Sequence, residues 1–235
     1  MKTFRHDFVN LPNLSEWYAA DGRRHYRTPE GNLYPSITTV LSLAGREKLK
    51  EWQDQVGMEE AKRISAIMAK RGSNLHNICE NYLHNETNPT QGHMPDVQYM
   101  FRQIRSHVDK IDNIKSIEGQ LYSDRLRVAG RCDVIASFMG RNAIIDFKTT
   151  NSEVEFDPNE TIDIHDNKIQ KYFLQCYGYR EMFKERTNIH IDYGVLIIAS
   201  MDYGARVFVS KLDKYSDEFM AIRKQYDEEN GNSNP

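Results

Sequence analysis

The chain has 235 residues, 39% of them hydrophobic and 28% charged, the composition of an ordinary soluble protein able to bury a substantial core, and one domain with peripheral additions is expected. A formal net charge of −3 excludes indiscriminate coating of nucleic acid, which needs clustered Lys and Arg, so any DNA site must be a local basic groove. No apolar run approaches the ~18 residues that span a bilayer, the first residues lack the apolar core of a signal peptide, and Cys79, Cys132 and Cys176 show no Cys-x-x-Cys spacing; a cytoplasmic protein with reduced thiols and no membrane partner is expected.

In chain order, turn signals at Asp21-Gly22 and Glu30-Gly31-Asn32 flank Arg23-Arg24-His25-Tyr26-Arg27 and predict a small basic hairpin. Pro35 and Ser36 open a helix through Ile37, Val40 and Leu41, with Ser36 as N-cap. From about Lys48 a helical period runs through Trp52, Val56, Ala61, Ile64 and Met68; Gly72 is expected to interrupt it before a second helix carrying Leu75, Ile78, Cys79, Tyr82 and Leu83. A polar loop from Asn85 to Pro95 leads to a further helix, Val97 to Ile111. The period then changes to two: Ile114 to Ser123, Leu126 to Phe138 and the strand holding Ile144 to Lys148 form a three-strand meander. An acidic loop, Asn151 to Asp166, precedes a helix from Lys168 to Glu185, strands at Ile191 to Ser200 and Ala205 to Val209, and a final helix from Tyr215 to Glu228. Residues 1–228 read as a single domain, 1–112 a hairpin and helical region and 113–228 an α/β core, with 229–235 a disordered tail.

The chemistry-bearing stretch is Gly130-Arg131-Cys132-Asp133 followed by Ile144-Ile145-Asp146-Phe147-Lys148-Thr149. Successive strand side chains face opposite sides, so Asp146 and Lys148 share one face and Ile145 and Phe147 the other. A lone acid-x-Lys on a strand is a common surface pair, but the apolar neighbours mark this strand as central, where charges cost free energy unless paired or coordinating. Asp133 brings a second carboxylate, and two hard oxygen donors beside a fixed ammonium suit a divalent cation and phosphodiester hydrolysis. Around them stand His76 at the margin of an apolar helix stripe, Glu118 on the first meander strand, and Gln175 and Tyr179 one helical turn apart.

In this order and on these elements, His76, Asp133, Asp146 with Lys148, and Gln175 with Tyr179 resemble the PD-(D/E)XK nuclease superfamily, in its RecB-like branch. Tyr34-Pro35-Ser36-Ile37-Thr38-Thr39-Val40-Leu41, the helix with Trp52, and Arg71-Gly72-Ser73-Asn74-Leu75-His76 further resemble the mitochondrial genome maintenance exonucleases and related phage exonucleases. The resemblance implies an α/β fold, a restriction-endonuclease-like core with a mixed central sheet flanked by helices, and a metal-dependent exonuclease acting on single-stranded DNA from a free end in replication, recombination or repair. A structure-selective flap or junction endonuclease, or a non-catalytic single-strand-binding protein of the same fold, are the alternatives.

It further implies Asp133, Asp146, Lys148 and Glu118 as catalytic residues, and His76, Asp133, Asp146 and the Phe147 carbonyl as ligands of Mg²⁺ or Mn²⁺. Gln175, Tyr179, Arg71, Ser36, Thr149 and Lys171 become candidates for contacting the strand, and Tyr34, Trp52 and Tyr172 for stacking on bases. A monomer is expected, partnered by single-stranded DNA and possible replication or recombination proteins, with a bacterial host cytoplasm as its compartment if phage-encoded.

Overall fold

A computed structural model describes residues 2–155 and 168–231. The basic hairpin is part of a three-stranded antiparallel sheet of β1 (Ser15–Tyr18), β2 (Arg24–Arg27) and β3 (Leu33–Pro35). All four residues of β1 are exposed, so it has no apolar alternation by which to be recognised. Ser36 caps α1 (Ile37–Leu41), accepting from the Thr39 N–H at 3.0 Å.

The long helical region breaks at Gly57, not at Gly72. Gly57 has φ +85°, a left-handed conformation that ends α2 (Arg46–Val56) and starts α3 (Met58–Leu83). Gly72 stays helical, and a Cβ there would make only an ordinary contact, 3.7 Å, with Thr149 Oγ1 of the central sheet. Next comes α4 (Pro95–Val108), which ends three residues before the predicted limit because β4 begins at Ile111.

The second sheet is ordered β4 (Ile111–Ser123), β5 (Val128–Phe138), β6 (Arg141–Thr150), β7 (Tyr193–Ser200), β8 (Gly204–Lys211). The meander β4-β5-β6 is antiparallel as predicted, β6 and β7 are parallel, and β7 and β8 antiparallel. Between β6 and β7 runs α5 (Lys168–Thr187), the kind of crossover a parallel pair requires. The last helix is α6 (Ser216–Glu229). The result is a mixed α/β fold with a five-stranded mixed sheet flanked by helices. Most of the predicted acidic loop, residues 156–166, and residues 232–235 of the predicted tail lie outside the described residues.

Strand alternation builds a core on each face. Ile144 points to a layer with Phe173, Tyr177 and Phe219 of α5 and α6, while Ile145 and Phe147 point to one with Ile78, Tyr82 and Phe101 of α3 and α4. The outer edge of β4 is covered by the N-terminal segment, whose Asp7 and Val9 N–H groups donate to Ile114 O and Lys115 O at 2.8 and 2.9 Å. No helix among the described residues is long and apolar enough to cross a membrane.

Candidate active site

The site forms where β5 and β6 part. Their paired register ends at Val134↔Ile145, and just beyond it the Phe147 N–H, two residues along β6, donates to Oδ2 of the Asp133 side chain at 2.8 Å. A carboxylate therefore replaces a backbone partner and is held rigidly at the gap. From α3, His76 Nε2 lies 2.7 Å from Phe147 O, and its Nδ1 lies 3.5 Å from Asp133 Oδ2. Across β4, Glu118 reaches the same place from a backbone at φ +50°, a left-handed conformation uncommon for a residue with a side chain. Its carboxylate pairs with Arg131 at 2.8 Å. Burial and the charge of Asp133 push the Glu118 carboxyl up to about 7, against the opposing pull of Arg131 and His76.

Asp146 lies just beneath, buried, its Oδ2 ion-paired with Lys148 Nζ and its Oδ1 accepting from Gln175 Nε2 at 3.3 Å. Burial pushes Asp146 up to about 6, opposed by Lys148 and reinforced by Asp133. For Lys148, burial favours the neutral amine, but the charges of Asp146 and Asp133 prevail and raise its pKa above the ordinary lysine value. The ammonium also stands 4.9 Å from the Tyr172 ring centre. Gln175 bonds onward to Tyr179 at 3.5 Å, and Tyr179 is accommodated because residue 130 is glycine: a Cβ there would stand 2.9 Å from the tyrosine ring.

These groups surround a cavity of about 470 Å³ whose wall includes His76, Glu118, Asp133, Lys148, Gln175 and Tyr179. The sequence had singled out all six. Glu80, Arg24 and Arg131 also line it and were missed. Glu80 follows His76 by four residues, one helical turn, and so had a readable signal; Arg131 lies within the Gly-x-x-Asp stretch itself, and Arg24 is carried in from the separate hairpin sheet by tertiary packing.

Four strand-contact candidates sit elsewhere. Ser36 is fully buried and its hydroxyl is committed to capping α1, so it cannot touch a strand; Thr38 of the same segment lines the cavity instead. Lys171 donates to Ala44 O, tying α5 to the end of α1. Arg71 is held by Asp96 at 3.4 Å and Asn151 at 3.2 Å, and Thr149 faces Gly72 on α3.

The donor set fits a divalent cation. Ligand atoms of His76, Glu118 and Asp133 all lie within 4.8 Å of one another, close enough for one ion to be held between them. Carboxylate and carbonyl oxygens with one imidazole suit Mg²⁺ or Mn²⁺.

No protein-family model matches the chain, and no curated protein matches it. Among solved structures it is similar to a provisionally named exonuclease from Eubacterium rectale, at 14% identity and a TM-score of 0.47, over 67% of this chain and 64% of that one. The chain thus spans less than two thirds of that protein's length. It is also similar to the protein SSO0001, at 14% identity and a TM-score of 0.35, over 80% of this chain and 74% of that one. Likeness at this level carries no argument, and the functional reading rests on the site itself.

Proposed function

We propose that this chain is a divalent-metal-dependent nuclease of the PD-(D/E)XK type, in the RecB-like branch, that hydrolyses single-stranded DNA from a free end. One observation carries the reading: at the parting of β5 and β6, Asp133, His76 and the Phe147 carbonyl converge beside the ion pair of buried Asp146 with Lys148.

His76, Asp133, Glu118, Asp146 and the Phe147 carbonyl would hold Mg²⁺ or Mn²⁺, which when bound lowers the pKa of a water and offsets charge on phosphoryl oxygens. Lys148, beside Asp146 and lining the cavity, is placed to hydrogen-bond the phosphoryl group or the attacking water. Gln175 orients Asp146, and Tyr179 backs Gln175. Arg24, half-buried, and Arg131, exposed and paired with Glu118, bring guanidinium groups to the wall beside the acidic centre, where a phosphate can meet them. The preference for single strands and ends is supported by the resemblance of the Tyr34 to Leu41 and Arg71 to His76 stretches to exonucleases of that branch.

End-labelled oligonucleotides incubated with Mg²⁺ or Mn²⁺ are expected to shorten from an end, and a circular single strand to stay intact. Lys148→Ala should slow digestion about 10²–10³-fold. Undiminished digestion by that variant would remove Lys148 from the mechanism, and cutting of the circle would replace an exonuclease by an endonuclease.

A further inference from the structure

The strand β2 divides two cavities. Arg24 faces the catalytic one, while its neighbours Arg23 and His25 face a second cavity, also about 470 Å³, between the opposite face of the small sheet and the C-terminal end of α6. The register explains the division: Trp17 pairs with His25 and His25 with Pro35, so these three form one row across the sheet, on the side of the second cavity.

Trp17 is 44% exposed, its indole edge-on to His25 with 5.4 Å between ring centres, and Tyr34 lines the same cavity. A large aromatic left open beside a cavity is a stacking platform. Cations accompany it. Arg127 and Arg223 share one carboxylate, Asp227, which leaves an excess of positive charge in the wall, and Arg127 is 46% exposed. Arg23, ion-paired with Asp21 and bonded to Asn230, is 42% exposed at the other side. An aromatic platform flanked by partly exposed guanidiniums matches a nucleotide, with a π-face to stack and a phosphate to bind, and the volume is within the range that holds a small ligand.

We infer that this cavity is a second subsite for the DNA strand, taking one unpaired nucleotide with its base against Trp17 and its phosphate toward Arg23 and Arg127. The inference rests on the nuclease reading for its choice of ligand. Because adjacent side chains of β2 serve the two cavities, the subsite lies on the order of 10 Å from the catalytic one, within reach of a single strand crossing the edge of the sheet. It anchors the strand away from the reacting phosphate.

The chain contains two tryptophans, Trp17 and Trp52, so Trp52→Phe leaves Trp17 as the sole indole reporter. In that background, with Asp146→Asn added to stop cleavage, an oligothymidylate titrated in Mg²⁺ is expected to quench Trp17 emission. By anisotropy of a labelled oligothymidylate, Trp17→Ala should raise Kd about ten-fold and Trp17→Phe, which keeps a ring, much less. Arg127→Ala should reduce the slope of log affinity against log salt by about 0.7, the value for one single-strand phosphate contact. Unchanged Trp17 emission and unchanged Trp17→Ala affinity, with the wild-type chain still digesting the oligonucleotide, would overturn the subsite and leave the nuclease reading standing. Quenching and the ten-fold loss without digestion by the wild-type chain would keep the subsite and overturn the nuclease. An oligonucleotide neither bound nor cut overturns both.

Discussion

Asp146 is buried and Lys148, half-buried at the cavity wall, is its ion-pair partner. Removing one partner of a buried pair leaves an uncompensated charge, a loss of about 3 kcal/mol or more, whereas replacing both with apolar groups is often neutral. Lys148→Met should therefore lower the urea midpoint clearly, and Asp146→Leu/Lys148→Met should recover much of it while remaining inactive. A double variant no more stable than the single one would show that the pair contributes little to the fold. Glu118 offers the opposite sign. Its backbone at φ +50° costs about 1 kcal/mol for a residue with a Cβ, and its carboxylate is half-buried in the cavity wall near Asp133. Glu118→Gly is expected to raise stability by about that amount while lowering nuclease activity; a less stable variant would show that the Arg131 pair outweighs the strain. At this scale the sequence singled out the acids, the lysine and the histidine, and the fold places them next to one another. It misassigned Ser36 and Lys171, because a cap and a side-chain bond to a distant carbonyl depend on packing that no local pattern encodes.

Among the elements, strands and helices were legible wherever one face is buried. The alternation Ile144, Ile145, Asp146, Phe147, Lys148 reported its own two faces, and those faces meet different helix layers. The helical N-terminal half was harder: α2 has no fully buried residue, so its period is weak, and the choice between Gly57 and Gly72 as the break could not be made from spacing. Backbone geometry decides it and predicts contrasting substitutions. Gly57→Ala, forced to φ +85°, should destabilise by about 1 kcal/mol or more, whereas Gly72→Ala, helical and with only an ordinary contact to Thr149, should be neutral or stabilising by up to about 1 kcal/mol. Thermal melts of the two variants check this; equal losses would mean that α2 and α3 do not break at Gly57.

For the whole molecule, the donor cluster joins α3, β4 and β5, so a bound cation ties together both halves of the chain. A ligand that binds only the folded state at a hundred times its Kd adds about 2.7 kcal/mol, which for a domain of this size raises Tm by about 5–10 °C. Mn²⁺ should produce such a shift, EDTA should reverse it, and Asp133→Asn should abolish it. A Tm indifferent to Mn²⁺ at millimolar concentration would remove the metal from the site.

By itself the sequence determined the α/β class, the meander, and the singling out of His76, Asp133, Asp146 and Lys148 as candidates, because strand and helix periods and the cost of burying charge are local properties. Only the tertiary structure decided how those residues meet: that β5 and β6 part where Asp133 takes the Phe147 N–H, that Glu118 enters from a left-handed backbone, and that the small sheet delivers Arg24 to one cavity and Trp17 to another. Such contacts join residues many positions apart, and their geometry is settled by side-chain packing across layers, which no periodicity within one segment records.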